Sequence, residues 1–394
     1  MKKFTLVKSI GLFVLLILFL NSVCSCNPRE TKDKEQTDFV ETLSNPITVN
    51  VYVENSGSMA GYCNVNNPSA IETLITDFYD RFDECSEIEN VSLNFINTSI
   101  VNSEANIRQF TNSIKRRCIA QYTKLDEMLK MMMDSVTNDC VNILISDYVF
   151  TSNNGNLAIA SSGITSLFSK QLESKDLAVA IYKYMVDFKG KYYPGGLNCN
   201  KPLPLYVWVF GNKENVRKIV QLPFNSENCG TYFLQKASDA HFELKSKSSR
   251  MINDNKIDVS LWKEERDGDY YEFTFTTTLD KVLLAKDDII KSSKYKIQTN
   301  NSTKFKIVDI QDLGNDKYDF IIRTKESKPA PGKVTITYPI VTPEWVTASN
   351  FEDRGIPIDS TTYGISYLIN GVSKAFENTS KKNNNYFTIN IILE

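Results

Sequence analysis

The run Val49-Asn50-Val51-Tyr52-Val53-Glu54-Asn55-Ser56-Gly57-Ser58-Met59 constrains the fold more than any other stretch, because it drives an apolar strand straight into a turn of small, hydroxyl-bearing residues. A near-continuous apolar run suits a strand buried on both faces, as in an α/β sheet. Ser-Gly-Ser ends it with turn chemistry. Far downstream, Val141-Asn142-Ile143-Leu144-Ile145-Ser146-Asp147 is a second apolar strand that ends on a carboxylate. Ligands of open α/β sheets bind where strands end, which puts both termini in the same candidate site. Glu54, Ser56 and Ser58 carry oxygen ligands at a spacing of two, a set suited to a hard divalent cation.

The remaining periodicities extend the pattern of strand and helix. Ser69-Ala70-Ile71-Glu72 reads as a capping box opening a helix that buries Ile71, Leu74, Ile75, Phe78 and Phe82. Residues 91–96 read as a strand, 106–110 as a short third one, and 125–136 as a Met-rich helix burying Leu125, Met128, Leu129 and Met132. A helix over 157–172, strands over 177–184 and 205–210, and a segment over 212–220 follow. Such alternation predicts an α/β fold with a doubly wound, mostly parallel sheet over residues 46–229.

Past Cys229 the texture becomes short, β-branched and aromatic segments broken by Asp, Asn, Gly and Pro, which predicts a β-sandwich-like C-terminal module over residues 240–394. An amphipathic helix at 362–376 and an alternating strand at 387–393 close the chain. The single histidine, His241, lies at the junction, so a Ser-His-Asp triad or a His-rich hydrolase centre has little to draw on. No phosphate-cradling glycine motif is present. The aromatic, basic loop 188–196 reads as a connection whose tyrosines pack on the domain edge, with glycan or peptide binding as the alternative.

The chain begins Met1-Lys2-Lys3, followed by an apolar run from Ile10 to Leu20 that is short for a membrane span and right for an export signal. Val23-Cys24-Ser25-Cys26 resembles the lipobox of bacterial lipoproteins, which implies a signal over 1–26, lipidation at Cys26 and membrane attachment by that lipid. Residues 27–45, rich in charge, are then a solvated tether. Removing the three lysines of the signal leaves 42 basic against 47 acidic residues, a balance that gives no general attraction to nucleic acid. Six cysteines remain, an even number compatible with disulfides in 15 possible pairings.

Val53-Glu54-Asn55-Ser56-Gly57-Ser58-Met59 resembles the Asp-x-Ser-x-Ser signature of von Willebrand factor A-like domains, and Ile143-Leu144-Ile145-Ser146-Asp147 resembles the strand bearing that family's final metal-site Asp. Thr123, at the start of the Met-rich helix, lies where the family's Thr falls. The resemblance implies Ser56 and Ser58 as direct ligands of Mg²⁺, and Thr123 and Asp147 as ligands direct or through water. It covers residues 46–222 and departs at its first position, where the family's Asp is Glu54. The extra methylene displaces the carboxylate by ~1.5 Å, which suits Glu54 to hydrogen bonding around the ion. Structural alternatives stand beside each residue: Ser56 and Ser58 as turn formers, Thr123 with Asp126 as a helix cap, Asp147 as a strand-end cap. The function expected is that of a non-enzymatic lipoprotein of the cell envelope, at the outer membrane, its periplasmic face or the cell surface, that binds a protein or extracellular polymer through the cation. The alternatives are an envelope hydrolase or transferase using Asp147 with Glu54, and a metal-free structural subunit.

Overall fold

The computed structural model describes residues 46–394 except 104, 122, 152–155, 194, 246–251, 254, 264–269, 326–327, 354, 356, 358–359 and 381–383. The expected signal, Cys26 and the 27–45 tether lie outside the described residues.

In chain order the first half comprises β1 (Ile47–Glu54), α1 (Ala70–Asp83), β2 (Ile88–Ile96), β3 (Ile100–Ser103), α2 (Ile107–Arg117), α3 (Leu125–Asp134) and β4 (Cys140–Ser146). It continues with α4 (Leu157–Ser174), β5 (Leu177–Val186), β6 (Lys189–Tyr192), β7 (Leu197–Asn200), β8 (Leu203–Asn212), α5 (Lys213–Val220) and β9 (Gly230–Gln235). Seven of these strands form one sheet in the order β3-β2-β1-β4-β8-β5-β9. β1, β2, β4 and β5 share one direction, with β1 parallel to both of its neighbours, while β3, β8 and β9 run against them. The fold is therefore mixed α/β. The antiparallel entry of β8 between β4 and β5 follows from its connection: the hairpin β6–β7, with no crossover helix, joins β5 to β8.

Helices cover both faces. Phe78 of α1 packs edge-on against Tyr184 of β5, whose register partner is Leu205. Phe168 of α4 lies on Phe210 of β8, a position of opposite parity and so on the other face. α1 begins at the expected capping box, Ser69 and Glu72 satisfying each other's backbone N–H groups. The segment read as a strand at 106–110 is instead the start of α2, because the Asn106 side chain accepts the Gln109 N–H at 3.0 Å and so starts a helix that buries Phe110 and Ile114.

The second half comprises β10 (Ser238–Asp239), β11 (His241–Lys245), β12 (Ile252–Asn253), β13 (Lys256–Ile257), β14 (Tyr271–Thr278), α6 (Lys286–Ile289), β15 (Lys296–Thr299) and β16 (Lys306–Gly314). It ends with β17 (Lys317–Thr324), β18 (Gly332–Pro339), α7 (Glu344–Ala348), β19 (Asn350–Phe351), β20 (Thr362–Tyr363), α8 (Ile365–Thr379) and β21 (Asn385–Leu393). A four-stranded sheet, β11-β14-β17-β16, and a larger one built on β13-β21-β18-β15 share an aromatic core: Tyr295 contacts Phe320 on one and Tyr338 and Phe387 on the other.

α8 packs on α4 of the first sheet. Gly371 permits the approach, since a Cβ there would stand 2.7 Å from the Ser161 carbonyl, and Ser161 and Thr165 donate to the carbonyls of Tyr367 and Gly371. Just before α8, Ser349 and residues 360–364 fasten onto the ends of the central strands. Phe150 N–H donates to the Tyr363 carbonyl, Tyr206 hydroxyl to Thr362, and the Lys183 ammonium to Ser349 Oγ and the Ser360 carbonyl. Gly364, at φ +70°, makes the turn into α8 where any Cβ would run into the Phe150 carbonyl. Among the described residues no helix is long and apolar enough to cross a membrane.

Candidate functional site

β1 and β4 are adjacent and parallel, so Glu54 and the Ser146-Asp147 pair emerge side by side at the same sheet edge. The loop after β1 is pinned in place: Gly57 N–H donates to the Ala120 carbonyl at 2.9 Å and Ala120 N–H to the Asn55 carbonyl at 3.0 Å. Met59 N–H then donates to the Ser56 carbonyl and starts a 3-10 turn, Met59–Cys63. This geometry turns Ser56 and Ser58 inward, with their hydroxyls 3.0 Å apart.

Glu54 is the centre of the cluster. Its Oε1 accepts the Thr123 hydroxyl at 2.5 Å, and its Oε2 accepts the Ser146 hydroxyl. α3 starts after Lys124 with no side-chain cap, so the Thr123 hydroxyl serves the carboxylate and not the helix end. Ser146 is a member the sequence reading missed. The available signal was its place as the last residue of an otherwise apolar strand, where a small hydroxyl needs a partner once buried. Ser146 Oγ also accepts the Tyr148 N–H at 2.8 Å, and Asp147 Oδ1 accepts the Val149 N–H at 3.2 Å. Both contacts require the chain to turn sharply at Tyr148, which is held at φ 51°, an uncommon conformation for a bulky residue.

The structure thus brings Glu54, Ser56, Ser58, Thr123 and Asp147 to one place and adds Ser146. The cluster is closed: Glu54 is 0% and Asp147 2% exposed. Asp147 Oδ2 is buried with no hydrogen-bond partner. Burial, followed by the charge of Asp147, pushes the Glu54 carboxyl up to about 7, against the opposing hydroxyls of Ser146, Thr123 and Ser56. Burial likewise pushes Asp147 up, opposed by hydrogen bonding from Ser58 and the Val149 N–H. No cationic side chain figures among the groups acting on either carboxylate.

Such a pair needs a proton or a cation to neutralise it. The donor set fits a hard cation: every candidate ligand is a hydroxyl or carboxylate oxygen, and Asp147 Oδ2 is buried with no hydrogen-bond partner. Only two carboxylates are present, and among the described residues no group of three or more His, Cys, Asp or Glu side chains is placed to hold a metal ion. Any cation here therefore rests on the serine and threonine hydroxyls as much as on the acids.

The other sequence candidates lie elsewhere. His241 is exposed at the start of β11. In the loop over 188–196, Phe188 and Tyr192 are buried, Phe188 against Tyr62, and the Tyr192 hydroxyl accepts the Tyr363 N–H, while Tyr193 is exposed. No disulfide is formed among the six cysteines of the described residues. Comparison with protein-family models gives no match, and comparison with curated proteins gives none either.

Proposed function

We propose that this chain is a lipid-anchored protein of the bacterial cell envelope whose von Willebrand factor A-like sheet holds a divalent cation, Mg²⁺ before Mn²⁺ or Ca²⁺, and binds a protein or polymer partner at that sheet edge. The single observation carrying the cation reading is Asp147 Oδ2, a buried carboxylate oxygen without a partner in a cluster made wholly of hard oxygen donors. Asp147, Ser56 and Ser58 are the direct ligands in this reading. Glu54, whose two oxygens already accept hydroxyl protons, orients Thr123 and Ser146 around them. The lipobox-like Cys26 and the preceding apolar run support the envelope location.

Enclosure changes how a partner takes part. With the site residues covered and Tyr363 tied to Phe150, the ion shapes the loops at the strand ends, and a partner reads that shape from outside. Thermal unfolding in chelator and in excess Mg²⁺, Mn²⁺ or Ca²⁺ tests the reading. A site-bound ion at a hundredfold excess over its Kd stabilises by about 2.7 kcal/mol, and Asp147→Ala removes that gain. Equal melting under all conditions in the wild type eliminates the cation.

A second reading, a hydrolase or transferase with Glu54 as acid and Asp147 as its partner, is favoured by the raised Glu54 carboxyl. The Ser146 and Thr123 hydroxyls donate to Glu54, so a hydroxyl with a carboxylate beside it is present in the cluster. Turnover of a chromogenic ester and glycoside panel that Asp147→Asn abolishes is the result that supports it.

A further inference from the structure

The outer edge of the seven-stranded sheet carries features that the cation site does not use. β3 pairs with β2 alone, and Ile100 and Val101 on it are 39% and 43% exposed. Native proteins blunt a free edge with charge, proline or a cover, and Ile100-Val101-Asn102-Ser103 has no charge and no proline. Val101 lines a cleft of about 220 Å³ with Asn55, Ala120, Gln121 and Lys124. Asn55 Oδ1 is buried there without a donor. The chain enters this cleft from α2, whose last turn is Lys115-Arg116-Arg117, and passes through Ile119, which is 77% exposed. The three basic residues are exposed and make no ion pair among the described residues.

We propose that the free edge of β3, with Ile119 and the basic end of α2, docks an extended acidic segment of a partner protein, which adds to the sheet as a further strand. Backbone pairing to β3 supplies the alignment, as in other strand-addition complexes. The apolar side chains of the segment cover Val101 and Ile119, and its acidic residues meet Lys115, Arg116 and Arg117. An acidic segment is favoured over other occupants because three consecutive cations stand exposed, with no ion pair among the described residues, in a protein whose acids outnumber its bases. The surface is next to the cation loop, since Asn55 follows Glu54 and Ala120 bridges Ser56, but none of its contacts uses the cation.

The test is selection of a displayed pool of random peptides on the full chain, with Val101→Lys as the counter-selecting variant. Val101 is half-exposed, so Val101→Lys melts with the wild type while placing a charge on the edge. Enriched peptides are expected to combine Asp or Glu with alternating Val, Ile or Thr. A representative peptide is expected to slow amide exchange across residues 100–103, to bind Arg116→Glu/Arg117→Glu at least about tenfold more weakly, and to bind Asp147→Ala as well as wild type. The proposal is overturned by failure to enrich, by basic peptides, or by protection that leaves 100–103 unchanged. Protection of 100–103 that rises with protein concentration alone overturns it in favour of a second copy of this chain. Loss of binding in Asp147→Ala overturns it by moving recognition to the cation site.

Discussion

Two buried aspartates of the same sheet domain make opposite use of their surroundings. Asp77, on α1, accepts the backbone N–H groups of Asn225 and Ser226 and the Asn225 side-chain amide, so its carboxylate is held by fixed amide donors and ties the loop before β9 to the helix. Asp147, at the end of β4, has one amide donor, the Val149 N–H, hydrogen bonding from the Ser58 hydroxyl, a second carboxylate beside it, and an oxygen, Oδ2, without a hydrogen-bond partner. Burial alone therefore does not distinguish a structural acid from a candidate ion ligand. The supply of donors does: a saturated carboxylate is a brace, and an unsaturated one beside another acid leaves room for an ion.

The largest effect separates the two directly. Asp77→Ala removes the carboxylate that accepts two backbone N–H groups and an amide from the half-exposed loop at 225–226, and the loss of these bonds together costs roughly 3 kcal/mol. Urea unfolding measures it, and the loss is expected to be the same in chelator and in Mg²⁺. A loss below about 1 kcal/mol breaks the contrast by showing that the loop reorganises without its brace.

The next effect belongs to the paired acids. In metal-free protein the Glu54 carboxyl is raised from its ordinary value of 4.5 to about 7. The folded state then holds a proton that the unfolded state releases, so this stability is complete below about 4.5 and is lost as pH rises to about 7. The loss is on the order of 3 kcal/mol, and Glu54→Gln is expected to flatten it. Unfolding midpoints in chelator across that window provide the measurement. An unchanged slope in Glu54→Gln assigns the titration to another group.

The sequence carried the site further than it carried the sheet. Glu54, Ser56, Ser58 and Asp147 were legible because strand ends are marked by abrupt changes from apolar to polar residues, and β1 and β4 both show one. Ser146 was not, since one hydroxyl at a strand terminus is ambiguous until its neighbour across the sheet is known. The antiparallel insertion of β8 was illegible for a related reason: an apolar run such as Leu205–Phe210 has no direction of its own, and the hairpin that reverses the chain consists of two four-residue strands around a glycine-rich turn. α2 was mistaken because Asn106 can end a strand or cap a helix, and the following Ile-x-x-Phe spacing is too short to decide. The packing of α8 on α4 depends on Gly371 meeting Ser161, a match between residues 210 apart that periodicity cannot register.

The smallest effect is the most selective. Thr123→Val keeps shape and removes one hydroxyl, with an expected loss of about 1 kcal/mol, an amount that either a lost helix cap or a lost site contact would produce. The pH profile tells them apart. The Thr123 hydroxyl stabilises the charged form of Glu54, so its removal is expected to raise the Glu54 carboxyl further and to move the pH midpoint of the metal-free transition upward. Loss of a helix cap would lower stability equally at every pH. Thr123→Ser retains the hydroxyl and is expected to retain the wild-type midpoint. A uniform loss in Thr123→Val would return Thr123 to the frame of the helix and leave Glu54 to the hydroxyls of Ser146 and Ser56, which would bring its surroundings nearer to those of Asp147 than to those of Asp77.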